Sequence, residues 1–312
     1  MDLLLFREAQ KRIAPYIQKT PLIPCYALPK AQLFLKCEHL QATHSFKVRG
    51  AFNAMLLLTP EARSRGVITR SRGNFAQAVA YAASLLKIPA TIILPSNVSI
   101  VKREGVEKYK ARVILQEGGA RREQQLVDDI AMKEGLATLS PFNIAPVIEA
   151  AGALALEMHE QLPNIHTFFG QIGGGALMAG ASCAFKKIDP SIKTIAVEPE
   201  GANDYFLSRA KGSPIFLEKI DTIADGLRAP QVGDLPWPFL QKHVDEAVTV
   251  TDREIIEAMQ LLYSKMGMMI EPSGATSLAY AMKWCRQHPK ETAACVLTGA
   301  NVDRTSFFSL VK

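Results

Sequence analysis

The chain is poor in several features that mark whole classes of protein. Its five cysteines (Cys25, Cys37, Cys183, Cys285, Cys295) are an odd number with no Cys-x-x-Cys pair, which argues against a disulfide framework and a zinc knuckle and points to a reducing, cytoplasmic setting. The six histidines are dispersed, with no His-Glu-x-x-His arrangement, so a catalytic zinc is not expected. No continuous apolar run approaches the roughly 18 residues of a membrane-crossing helix. The opening Met1-Asp2-Leu3-Leu4-Leu5-Phe6-Arg7-Glu8 carries its acid early, and its apolar run is too short for a secretory signal. Neither a membrane span nor export is expected. The net charge is a mild +6, and the 36 lysines and arginines are scattered, which gives nucleic-acid binding no support. Fixed-period repeats and low-complexity tracts are missing, setting aside solenoids and disordered tails.

What is there is an ordinary globular composition, 48% hydrophobic and 21% charged over 312 residues, enough for one large domain or two modest ones. Apolar runs of strand length alternate with amphipathic stretches of helix length, the pattern of parallel βαβ units covered by helices on both faces. Strands are expected at 66–69, 90–94, 112–115, 167–172, 194–198, 247–250 and 294–297. Helices are expected at 74–86, 98–109, 120–134, 145–159, 176–187, 252–266 and 273–288.

Four short segments stand out against this background. Thr43-His44-Ser45-Phe46-Lys47-Val48-Arg49-Gly50-Ala51 holds a lysine between an aromatic and a basic residue, followed by a glycine; alone, such a lysine is far more often a solvated surface charge than a nucleophile. Gly173-Gly174-Gly175 joins an expected strand to an expected helix, so its amides and the positive end of the helix dipole make a seat for an anion. A tight turn that needs no ligand is the other reading. A dinucleotide is excluded, because the residue three after Gly175 is Met178 where the Rossmann fingerprint requires glycine, and no Walker-type loop occurs. Ser71-Arg72-Gly73-Asn74 also follows a strand and opens a helix, as a second anion seat or a simple N-cap. Thr298-Gly299-Ala300-Asn301 closes the last strand, and by itself Thr298 is also a plain turn residue.

In this order and spacing the four segments resemble the fold type II pyridoxal phosphate (PLP) enzymes, and within them the serine/threonine dehydratase and serine racemase family, over nearly the whole chain. The resemblance implies a two-lobed α/β fold of the tryptophan synthase β kind, with twisted, mostly parallel sheets and helices on both faces. Residues 1–61 and 141–312 would form the large lobe, 62–140 a smaller inserted one, and the active site would lie in the cleft. Lys47 would carry PLP as a Schiff base over Phe46 and then remove the α-proton of the substrate. Asn74 would bond the ring hydroxyl and Thr298 the ring nitrogen. Gly173, Gly174, Gly175, Ala176 and Leu177 would seat the phosphate, itself placed to protonate a leaving hydroxyl. Ser71, Arg72, Gly73 and Asn74 would hold the substrate carboxylate. In Glu198-Pro199-Glu200-Gly201-Ala202-Asn203-Asp204, the Glu198 and Asp204 carboxylates and the Ala202 carbonyl would bind Mg²⁺ or Ca²⁺, which favour oxygen ligands; a merely solvated acidic loop is the alternative. The implied reaction converts a β-hydroxy amino acid such as L-threonine or L-serine to a 2-oxo acid and ammonia. A homodimer or homotetramer is implied, and the chain's end soon after the last motif suggests a catabolic type without a regulatory domain.

The chain departs from the family's pattern at Arg72 (usually Ser or Ala), Phe75 (usually His), Ala176 (a fourth Gly) and Ala151-Gly152-Ala153 (often Gly-Gln-Gly-Thr). Arg122 matches a basic position near the racemases' substrate entrance, or lies on a solvated helix face. The racemases use a serine at position 72 as their second acid/base, and a guanidinium with a pKa above about 12 cannot serve as one. Arg72 is expected either to grip a second anionic group of the substrate or to fill the cleft and lower turnover. Racemisation, β-replacement and a cofactor-binding protein without catalysis remain the alternatives.

Overall fold

The alternation of buried strands and helices resolves into two sheets in the computed structural model, which describes residues 1–312 apart from positions 72, 97 and 99, and only the backbone at 100, 101 and 120. In chain order the strands are β1 (Leu22–Pro24), β2 (Leu33–Lys36), β3 (Val67–Arg70), β4 (Ala90–Pro95), β5 (Arg112–Gln116), β6 (Ala137–Thr138), β7 (Thr167–Gln171), β8 (Lys193–Pro199), β9 (Glu246–Val250) and β10 (Ala293–Val296). Six of them form one sheet in the order β1-β2-β10-β7-β8-β9, parallel apart from the β1–β2 pair. The order β5-β4-β3-β6 forms a second, wholly parallel sheet.

Strand β7 shows why helices must flank both faces. It is buried throughout, and its side chains alternate between faces. Phe168 packs on Phe185 of the helix Ala176–Ile188 at 5.0 Å between centroids, and Phe169 on Trp284 of the helix Pro272–Gln287 at 5.3 Å. Phe75 and the Ala151-Gly152-Ala153 stretch are buried in the same interior, so these departures serve packing. Among the described residues, no helix is long and apolar enough to cross a membrane, and all five cysteines are free and buried.

Several elements lie outside the sequence expectation: strand β6, the short helices Pro60–Arg65, Asp204–Lys211, Trp237–His243 and Arg304–Val311, and, nearest the site, the β1–β2 hairpin, the helix Leu3–Ile13 and the helix Lys47–Leu56. The last is buried from Val48 to Met55, polar Arg49 and Asn53 included, and so lacks the one-sided pattern that marks a surface helix. Beneath it lies an ionic cluster. Arg49 grips both oxygens of Glu38 at 2.7 Å and Glu157 at 2.8 Å, while Lys36 bonds Glu157, the Thr20 carbonyl and Gln161. Burial alone would raise the Glu38 carboxyl, yet Arg49 and Lys36 outweigh it and hold the group below its usual range.

Candidate active site

The C-terminal ends of parallel strands in open sheets point toward a common crevice, and three of the four segments singled out above lie at such ends, after β3, β7 and β10. The turn after β10 zips onto the segment before Lys47. Phe46 N–H donates to the Thr298 carbonyl at 3.0 Å, Ser45 pairs with Gly299, and Ala300 N–H donates to the His44 carbonyl at 2.9 Å. Lys47 and Thr298 are thereby neighbours in space.

Lys47 opens its helix, with its Nζ 3.3 Å from the Pro141 carbonyl and 4.9 Å from the Phe46 ring centroid. No carboxylate pairs with it among the described residues. Lys47 is half-buried, and burial brings its pKa down to about 8, because an ammonium with little water around it and no counter-ion is costly.

Next to Pro141, the Phe142 ring lies against the glycine turn, where a Cβ on Gly174 would overlap it. Gly175 has φ +96° and caps the helix Ala176–Ile188, a conformation that favours glycine. The amides of Gly173, Gly174, Gly175, Ala176 and Leu177 have no acceptor among the described residues, leaving a row of free donors at a helix N-terminus. Thr298 Oγ1 accepts a 2.5 Å hydrogen bond from Gln171 Nε2, and its own hydroxyl hydrogen meets no described acceptor.

Asn74, the first residue of the helix Asn74–Leu86, is held from both ends: Nδ2 donates to Glu271 Oε1 at 2.6 Å, and Oδ1 accepts from Asn301 Nδ2 at 2.8 Å. It lies beside Gly299, whose Cβ, were there one, would crowd both Asn74 and Glu271. Ser71 Oγ accepts from Gly73 N–H at 3.3 Å, while the Asn74 and Phe75 amides have no described acceptor. Near Gly73 lies Lys102, which pairs with Asp225. Arg72 lies outside the described residues. Arg122 is exposed.

Glu198 and Asp204 are both buried. Glu198 accepts from the amides of Tyr205 (3.1 Å) and Phe206 (2.7 Å), yet burial and then the Asp204 charge raise its pKa well above the carboxylate range. Neither Asp204 oxygen has a partner of good hydrogen-bond geometry; desolvation raises that carboxyl to about 7, opposed in part by the nearby Val232 and Asp204 amides. Two adjacent buried carboxylates with spare lone pairs, beside buried Ala202, are a donor set suited to a hard cation. No group of three His, Cys, Asp or Glu that could hold a metal occurs among the described residues, so the backbone carbonyl would have to complete the set. Val232 is followed by Gly233, whose amide donates to the Gly174 carbonyl at 3.1 Å, linking this loop to the glycine turn.

Sequence reasoning missed three groups here. Gln171 ends an otherwise apolar strand, a signal that was open to use. Glu271, directly before Pro272, reads as a helix cap, and Lys102 as a surface charge.

A protein-family model described as "Pyridoxal-phosphate dependent enzyme" matches residues 13–299. Serine racemase from Oryza sativa subsp. indica is 39% identical, over 97% of this chain and 91% of its own. L-threo-3-hydroxyaspartate ammonia-lyase from Saccharomyces cerevisiae is 33% identical, over 97% and 94%. The solved structure of maize serine racemase is similar with a TM-score of 0.94 at 38% identity, covering 99% of this chain and 96% of that one.

Proposed function

The chain belongs to the pyridoxal-phosphate dependent enzyme family, and on that premise we propose that it catalyses β-elimination from a β-hydroxy amino acid, releasing a 2-oxo acid and ammonia. L-Serine, L-threonine and the acidic analogue L-threo-3-hydroxyaspartate are the candidate substrates. The observation that carries this reading is Lys47, a desolvated amine with no carboxylate partner. The surrounding donors fit the cofactor: free glycine-turn amides suit a phosphate, and the Thr298 hydroxyl has a hydrogen to give to a ring nitrogen.

When bound, pyridoxal phosphate supplies an aldehyde for the amine and an electron-withdrawing ring that acidifies the Cα–H bond. The Lys47 Nζ takes the Cα proton, a task that needs the neutral amine and that its lowered pKa assists. The amides of Gly173, Gly174, Gly175, Ala176 and Leu177 would hold the phosphate, and Thr298 would hold the ring nitrogen through a neutral donor. Asn74, fixed by Glu271 and Asn301, would offer its remaining N–H to the ring hydroxyl. Phe46 keeps water from beneath Lys47. Ser71, Gly73 and the Asn74 and Phe75 amides bind the substrate carboxylate, and Arg72 in the same loop selects a second anionic group or lowers turnover. Glu198, Asp204 and the Ala202 carbonyl hold Mg²⁺ or Ca²⁺. Residues 62–140 act as the smaller lobe against 1–61 and 141–312, in a homodimer or homotetramer.

Racemisation is the second reading, favoured by Glu271, a buried acid whose pKa of about 7 lets it hold or release a proton near neutrality one hydrogen bond from Asn74. Assaying ammonia and 2-oxo acid from the three candidate substrates, with D-isomers measured alongside, tests both. Elimination predicts keto-acid release from at least one substrate, lost in Lys47→Ala. D-isomer without keto acid would replace it with racemisation, and a cofactor-loaded but inert protein would overturn both. Arg72→Ser is expected to change the substrate profile; an unchanged profile would remove Arg72 from the account.

A further inference from the structure

Gln171 ends β7 and is buried. Its Nε2 lies 2.5 Å from Thr298 Oγ1, 2.9 Å from the Ser273 carbonyl and 3.4 Å from the Val296 carbonyl. Two of these three neighbours are carbonyl oxygens, which only accept, so the group that faces them is the amide NH₂ and not its oxygen. With two hydrogens to share, the amide gives them to its two nearest acceptors, Thr298 Oγ1 and the Ser273 carbonyl. The Thr298 hydroxyl is then an acceptor from Gln171, and its own hydrogen must point elsewhere. Gln171 Oε1 is itself buried without a partner. Turning the amide over would not help, because it would set that oxygen against two carbonyls.

We propose that Gln171 is a positioning residue that fixes Thr298 as a hydrogen-bond donor toward the ring nitrogen of the bound cofactor and thereby keeps that nitrogen unprotonated. A threonine hydroxyl left to rotate either donates or accepts. As an acceptor it would favour a protonated ring nitrogen, and as a donor it favours the neutral one. Gln171 biases the choice before the cofactor arrives: it fills one of the two lone pairs of Thr298 and leaves the hydroxyl hydrogen, which meets no described acceptor, to be given to the ring nitrogen. The inference deepens the proposed function and rests on Thr298 as the partner of the ring nitrogen.

The test uses Gln171→Leu, Thr298→Ala and the double variant, with Gln171→Met in reserve should the leucine protein fail to fold. Two readouts independent of turnover apply: the dissociation constant of pyridoxal phosphate for the apo protein, and the ¹⁵N chemical shift of the ring nitrogen in labelled cofactor bound to the protein. Gln171→Leu is expected to weaken binding by about 2- to 13-fold, the net worth of one hydrogen bond, and to move the ¹⁵N signal toward the protonated form. In the Thr298→Ala background the same substitution is expected to change neither. An effect of Gln171→Leu that persists in full without Thr298 would mark a merely structural role and overturn the proposal. If Thr298→Ala alters binding and the nitrogen signal but Gln171→Leu does not, the Gln171 inference fails while the Thr298 reading stands. If Thr298→Ala leaves both unchanged, the Thr298 reading fails and takes the inference with it.

Discussion

Glu271 Oε1 accepts a 2.6 Å hydrogen bond from Asn74 Nδ2, joining the residue that caps one helix to the first residue of another. Burial first, and then the Asp225 charge, raise the Glu271 carboxyl from 4.5 to about 7, against the opposing influence of Asn74 and Lys102. The folded protein thus keeps a proton that the unfolded chain releases at lower pH. The stability tied to this group is complete below about pH 4.5 and is lost as the pH rises through about 7. Glu271→Gln retains an acceptor for Asn74 and carries no charge. It is expected to flatten the decline, ending ahead of the parent by roughly 3 kcal/mol at about pH 8, from about 1.4 kcal/mol for each pH unit. Chemical denaturation at about pH 5 and about pH 8 checks this, and equal slopes for the two proteins would contradict it.

The Lys47 amine predicts a second pH dependence. Only the neutral amine attacks an aldehyde, and burial lowers its pKa to about 8. Uptake of pyridoxal phosphate by the apo protein is expected to quicken with rising pH and level off just above that value. An ordinary lysine would go on quickening to about 10.4. Stopped-flow absorbance over this range distinguishes the two.

Arg49 is the hinge of the ionic cluster under the helix that carries Lys47. Arg49→Met would leave Glu38 without its ion-pair partner and Glu157 with Lys36 alone, and the loss of one partner from a buried ion pair costs about 3–5 kcal/mol. Arg49→Lys restores the charge but not the two-pronged grip on Glu38 and is expected to recover only part of that loss. Urea unfolding of the three proteins measures it; a change within about 0.5 kcal/mol, the range of an unremarkable surface substitution, would contradict the role given to the cluster.

Mg²⁺ or Ca²⁺ at Glu198, Asp204 and the Ala202 carbonyl should stabilise the fold, by about 2.7 kcal/mol at a hundredfold excess over Kd. Chelation is expected to lower Tm and, through Gly233 and the Gly174 carbonyl, to loosen cofactor binding. Asp204→Asn should abolish the response to added cation. A parent protein whose Tm ignores both chelator and cation would remove the metal from the account.

The scaffold was largely legible in the sequence, because parallel strands are continuous apolar runs and the helices between them carry strong boundaries. The expected helix 252–266 coincides with Asp252–Met266, closed at its start by the Thr251/Glu254 capping box. Asn74, Gly173 and Thr298 stood out because turns at strand ends demand particular residues, and Lys47 stood out through its order and spacing with them. The helix Lys47–Leu56 was not legible, because all its faces are buried and its polar residues find partners far off in the chain, Arg49 in Glu157 and Asn53 in the Pro146 carbonyl. The roles of Glu271 and Gln171 were hidden for the same reason, although an amide at the end of an apolar strand was there to be noticed. Their meaning lies in Asn74, 197 residues away, and in Thr298, 127 residues away, and no local spacing records such a pairing.

Everything proposed for this site depends on Lys47 holding the cofactor. Borohydride reduction of the pyridoxal phosphate-loaded protein, followed by proteolysis and mass spectrometry, tests it most directly. A single modified peptide carrying a phosphopyridoxyl group on Lys47 is expected. A group on any other lysine, or on none, would contradict it.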